Sequence, residues 1–113
     1  MKINWFEIPV ADMERAIAFY QTVFAIQINK QEFGEVVMGQ FPANYRVGAA
    51  TGALMKYPSY IPSAEGTLLY FNSVDIHTEL NSVVHAGGSI QREKTMISPE
   101  HRYMAVFIDF EGN

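Results

Sequence analysis

The sequence contains no cysteine. Disulfides, thiol nucleophiles, iron–sulfur clusters and cysteine-ligated zinc are therefore excluded. No apolar run is long enough to span a bilayer, and Met1-Lys2 leads straight into strand-like sequence without a signal-peptide pattern. Basic residues are few. Eight Lys and Arg stand against twelve Asp and Glu, for a net charge of −4, and they form no cluster. Nucleic-acid binding needs a positive face to neutralise phosphate, so it is disfavoured. No Gly-x-Ser-x-Gly elbow, Ser–His–Asp pattern or glycine-rich phosphate loop occurs; Gly87-Gly88 closes a helical stretch instead of opening one. From these absences a cytoplasmic protein with no membrane and no nucleic-acid partner is expected.

Aromatic residues are plentiful: eight Phe, six Tyr and one Trp, in a chain of 113 residues that is 49% hydrophobic. That composition suits one globular domain with its own core. Ile3 to Val10 reads as a strand, with Pro9 near its end, where a missing N–H costs least. Asp12 then stands as an N-cap, and Glu14 adds negative charge near the positive end of a helix dipole. Met13, Ala16, Ile17 and Tyr20 fall on one helical face, and the periodicity turns Met13, Ile17, Tyr20 and Phe24 inward. The same grammar returns later. Leu68 to Val74 reads as a strand, Asp75 as an N-cap, and Ile76, Leu80, Val83 and Val84 as an apolar helix face closed by Ala86-Gly87-Gly88.

Between the two units, Ala25 to Phe33 reads as an extended strand, Gly34 as a turn, Glu35 to Phe41 as a strand and Val47 to Met55 as another. The small residues Gly48 to Ala53 mark either a close approach or a bulge. Two prolines stiffen a linker over 58–66. Ser89 to Lys94 and Thr95 to Ile97 suggest short strands, Ser98 to His101 a loop, and Tyr103 to Asp109 a last strand.

Phe6-x-Ile8-Pro9-Val10-x-Asp12-Met13-x-Arg15-Ala16-x-x-Phe19-Tyr20, followed by Val23-Phe24, resembles the opening of the vicinal oxygen chelate superfamily, which holds glyoxalase I, bleomycin-resistance proteins and extradiol dioxygenases. Val74-Asp75 with Ala86-Gly87-Gly88, then Phe107-x-Asp109-x-Glu111-Gly112-Asn113, is similar to that superfamily's second module. The resemblance implies an α+β domain over 1–113. Two βαβββ modules, about 1–57 and about 67–113, would form a cupped mixed sheet with the helices outside. The pattern continues past the Glu-Gly-Asn turn into one more strand, which the sequence ending at Asn113 does not include.

The resemblance also implies a divalent metal at the floor of the cup, held by His, Gln or Glu from the first and last strands of each module. The corresponding positions here are Trp5, a residue near Ala53 and a residue near Leu69, with the fourth beyond Asn113. Trp, Ala and Leu cannot bind such a cation. His77 and His85, eight residues apart on the second helix, miss the i, i+4 spacing of paired ligands, and His101 sits in a loop. No metal site and no cofactor is therefore expected.

By alternation Glu7 shares a face with Ile3 and Trp5. If that face lines the cup, Glu7 is a carboxylate in partly apolar surroundings and a candidate base. Otherwise it lies at a rim or pairs with a basic residue. Trp5, Met55, Tyr57, Tyr60, Phe71, Met104 and Phe107 pack the core or line a cavity suited to a flat or hydrophobic small molecule. The reading is a homodimeric, bleomycin-resistance-like binder of a small organic molecule. The alternatives are a metal-dependent lyase or dioxygenase of glyoxalase type and a metal-free enzyme using Glu7 as base.

Overall fold

The structure, a computed structural model, describes residues 1–43, 50–100 and 102–113. The N-terminal half runs β1 (Trp5–Pro9), α1 (Met13–Phe24), β2 (Asn29–Phe33), β3 (Val36–Gln40) and β4 (Thr51–Lys56). These strands form one mixed sheet in the order β1-β4-β3-β2, with β1 parallel to β4 and the other pairs antiparallel. The C-terminal half holds α2 (Ile76–His85) and an antiparallel pair, β5 (Ser89–Ser98) and β6 (Arg102–Ile108). The architecture is the expected α+β type.

Alternation along β1 sets the two faces of the sheet. Ile8 and Val10 are buried and Phe6 is half-buried beneath α1, whereas Ile3, Trp5 and Glu7 point to the opposite, exposed face. Asp12 caps α1 as expected, accepting from the Arg15 N–H at 3.1 Å. The buried stripe of α1 is shifted from the one the periodicity predicts: Phe19 and Val23 join Met13, Ala16 and Tyr20, while Ile17 and Phe24 are half-buried, because α2 covers a second flank of the helix. Asp75 likewise caps α2. The Gly87 and Gly88 N–H groups close that helix on the carbonyls of Val84 and Val83, with Gly87 at φ +98°. That double bond is the glycine-dependent stop read from the sequence.

Several expected elements differ. Leu68 to Val74 forms no ladder with any described strand, and Leu68, Tyr70 and Val74 are exposed. In the N-terminal half the equivalent strand, β1, is held by β4; the C-terminal half has no described counterpart of β4, so the segment lacks a hydrogen-bonding partner. Val84 faces outward, since Ile76, Leu80 and Val83 already complete the inward stripe of the helix. Thr95 to Ile97 continues β5, which is one long strand interrupted by register shifts. Strand β2 begins at Asn29 after a left-handed Ala25, and β4 begins at Thr51; the expected strand residues 47–49 and loop residues Asn44, Tyr45 and His101 lie outside the described residues.

Candidate functional site

An open groove of about 1150 Å³ runs along the free edge of β1. Its walls are β1, the extended segment 66–75, the first turns of α2, and β6. Five rings make its apolar floor. Phe71 lies 6.0 Å from Phe6 and 4.9 Å from Phe24, Phe107 lies 6.4 Å from Phe24, and Tyr20 stacks on Phe24 at 6.2 Å. Charged side chains of Asp75, Glu79, Lys94 and Arg102 stand around this floor. Ligand pockets share this form, mostly apolar with a few polar groups, and the volume is enough for a drug-sized molecule.

The expected site residues divide into three groups. Phe71, Met104 and Phe107 line the groove, and Glu7 reaches it from the edge of β1. Met55 is buried within β4, packed beside Pro9 and Met38 in the ladder. Trp5 and Tyr60 lie outside the groove, yet both touch Glu7: the Trp5 indole N–H and the Tyr60 hydroxyl each donate to one of its carboxylate oxygens, both at 3.2 Å. The nearby Glu7 charge raises the pKa of the Tyr60 hydroxyl. Tyr57 packs edge-on against Tyr60 at 5.7 Å. Glu7 itself is exposed and not enclosed by apolar groups.

Phe6, Tyr20 and Phe24 also line the groove. Their apolar spacing marks them as inward-facing but does not separate a core wall from a groove floor. The sequence reading recognised the Glu-Gly-Asn turn but not its contacts, which place Asn113 at the groove's lining. Asp109 is buried, accepts from the Tyr20 hydroxyl at 2.8 Å, and also accepts the backbone N–H groups of Glu111 and Asn113. Burial raises the Tyr20 pKa, and the facing Asp109 carboxylate adds to it. The Asn113 side chain bridges Asp109 to the Pro9 carbonyl. Glu111 accepts the backbone N–H groups of Ala11 and Asp12 and pairs with Arg15. Burial pushes the Glu111 carboxyl up, but the Arg15 hydrogen bond and those two N–H groups outweigh it, so its pKa falls below the usual carboxylate value.

Of the four metal positions implied by the resemblance, the three within the sequence carry no ligand side chain. Trp5 and Ala53 lie in β1 and β4, and Leu69 lies in the extended segment beside the groove. Among the described residues, no three His, Asp or Glu side chains converge to hold a metal ion. His77 and His85 lie at opposite ends of α2, both exposed. No helix among the described residues is long and apolar enough to cross a membrane.

Comparison with known proteins places this geometry. The chain covers 96% of its own length and 42% of the other chain in a match to the V278E mutant of glyoxalase I from Zea mays, at TM-score 0.67 and 17% identity. It thus spans less than half of that enzyme. Two matches are of similar size to this chain. A glyoxalase/bleomycin resistance protein from Albidiferax ferrireducens T118 gives TM-score 0.69 and 18% identity, covering 98% of this chain and 93% of that one. TnmS3, an antibiotic binding protein from Streptomyces sp. CB03234, gives 0.70 and 19%, covering 100% and 90%. No curated protein matches. Identities this low carry the fold alone. The family model for the Glyoxalase/Bleomycin resistance protein/Dioxygenase superfamily matches residues 2–113, and with the capped helices and mixed sheet described above, the chain belongs to that superfamily.

Proposed function

We propose that this protein binds a small, flat, largely apolar organic molecule in the groove beside β1 and does not transform it. The observation that carries the reading is the aromatic floor of Phe6, Tyr20, Phe24, Phe71 and Phe107 beneath an opening of about 1150 Å³. Trp5, Ala53 and Leu69, where metal-dependent relatives would place ligands, support binding over metal chemistry. The description of the Streptomyces neighbour as an antibiotic binding protein is consistent with such a role on this fold. A homodimer fits the proposal, because β2 at the far edge of the four-stranded sheet and the two-stranded β5–β6 pair leave free edges that a second copy could cover. A cytoplasmic location fits the cysteine-free sequence.

Two measurements test it together. A hydrophobic dye such as 1-anilinonaphthalene-8-sulfonate is titrated into the protein and displaced by planar aromatic compounds, with Phe71→Ala as the comparison. Saturable binding that weakens in the variant supports the groove. Elemental mass spectrometry on protein never exposed to chelator supplies the opposing case. Stoichiometric manganese, iron, nickel or zinc would move the assignment to a metal-dependent lyase or dioxygenase.

A further inference from the structure

Glu7, Trp5, Tyr57 and Tyr60 form a cluster on the face of the sheet opposite α1, outside the apolar floor of the groove. Strand alternation sets Trp5 and Glu7 side by side on that face. The Glu7 carboxylate is held at both oxygens, by the Trp5 indole N–H and by the Tyr60 hydroxyl, each at 3.2 Å. Tyr57 extends the aromatic surface, its ring 5.7 Å from that of Tyr60 at an interplanar angle of 77°. Trp5, Tyr57 and Tyr60 are each between 37% and 40% exposed as residues, so the cluster is partly open to a ligand. No Lys, Arg or His among the described residues forms an ion pair with Glu7. Lys56 and Glu35 border the adjoining depression near Tyr57 and Tyr60 and bring one charge of each sign.

We propose that this cluster is a binding site for a small organic cation, a quaternary ammonium or a protonated tertiary amine. The chemistry selects that class by elimination. A hard metal ion takes six or more oxygen ligands, and the cluster supplies one carboxylate. A neutral aromatic compound would use the rings and gain nothing from the fixed negative charge. A primary ammonium is strongly hydrated and loses that water at a site with a single acceptor group. An alkylated ammonium spreads its charge over methyl groups, is weakly hydrated, and is attracted both by electron-rich ring faces and by the neighbouring carboxylate. The two hydrogen bonds hold the Glu7 carboxylate beside Trp5 and Tyr60, which pre-orders the site before the cation arrives. This site stands on other residues than the apolar groove floor, so its failure would leave the groove reading in place.

Trp5 is the sole tryptophan in the chain, so its fluorescence reports on this site alone. The test titrates choline and benzyltrimethylammonium into the intact protein, with 3,3-dimethylbutan-1-ol as the uncharged counterpart of choline. The expected result is saturable change in Trp5 emission with both cations and none with the alcohol. Glu7→Gln should weaken cation binding by about tenfold while melting like the parent. Tyr60→Leu should weaken it by a similar factor, read by calorimetry. The proposal is overturned by any of three results: no saturable response to either cation, equal binding of the alcohol, or unchanged affinity in both folded variants.

Discussion

The Tyr20 hydroxyl donates to Asp109 at 2.8 Å, joining the middle of α1 to the C-terminal turn across 89 residues of sequence. Both side chains are buried, at 3% and 4% exposure. A buried carboxylate is costly unless its oxygens are satisfied, and here the turn's own N–H groups and the Asn113 amide complete the set. The Tyr20 ring meanwhile belongs to the groove floor. One residue thus couples the shape of the groove to the anchoring of the chain's C-terminal turn.

Tyr20→Phe should therefore destabilise the protein by about 1–3 kcal/mol, the cost of leaving a buried acceptor short of a donor. Urea unfolding followed by circular dichroism measures this. The raised Tyr20 pKa adds a pH signature. The unfolded chain releases this proton above about pH 10 while the folded protein keeps it. Its contribution is complete below that pH and declines as pH rises beyond it. The alkaline loss of stability should be shallower in Tyr20→Phe; identical slopes would show that the hydroxyl is not coupled to folding.

Glu111 predicts the opposite slope. Its side chain is 1% exposed, it closes the N-terminal end of α1 through Ala11 and Asp12, and it pairs with Arg15. Its pKa is lowered in the folded state, so its contribution is present above the ordinary carboxylate pKa and is lost as pH falls through the folded value. Glu111→Gln should cost about 1.5–3 kcal/mol at neutral pH and much less in acid. Melting temperatures of both proteins across the acidic range should converge. A constant gap would assign the effect to shape instead of charge.

The faces of β1 and the ends of both helices were legible because their signals are local. Alternation separated Trp5 and Glu7 from Phe6 and Ile8, and Asp12, Asp75 and Gly87-Gly88 marked helix ends that the backbone adopts. What failed was non-local. Leu68 to Val74 has strand composition, but a strand also needs a neighbour, and composition does not supply one. The role of Glu111 depends on an α1 terminus 100 residues earlier in the chain, beyond any window of periodicity. The place of Phe6, Tyr20 and Phe24 in the groove floor was hidden for a different reason. Tyr20 and Phe24 carry the same apolar spacing whether their outer surface meets another side chain or an opening.

Gly52 was one of a run of small residues that fitted either a close approach or a bulge, and the structure shows a close approach. A Cβ at this position would lie 2.2 Å from the Phe6 carbonyl oxygen and 2.7 Å from the Phe6 ring. Backbone cannot yield as a flexible side chain can. Gly52→Ala should pry β1 from β4 and cost about 1–3 kcal/mol or more. Gly66→Ala is the control, since nothing lies within 4 Å of its added methyl. Equal stability of the two variants in chemical denaturation would contradict the β1–β4 register.

Phe71 and Met55 separate binding from packing. Both were candidate ligand-binding residues, but Phe71 is half-buried on the groove floor and Met55 is buried in β4 away from it. Met55→Ala leaves a cavity in the sheet and should cost about 2–5 kcal/mol of stability, the range for removing a large core side chain. Its affinity for a groove ligand, measured below its own melting point, should remain that of the parent. Phe71→Ala removes ring surface that a flat ligand would cover, so dye affinity should fall even at temperatures where the variant is fully folded. The pair is informative because the two costs point in different directions. If Met55→Ala lost affinity and Phe71→Ala kept it, the ligand would sit against the sheet and not in the groove. If both variants lost stability alone, with affinity intact, the aromatic floor would be core and the small molecule would bind elsewhere.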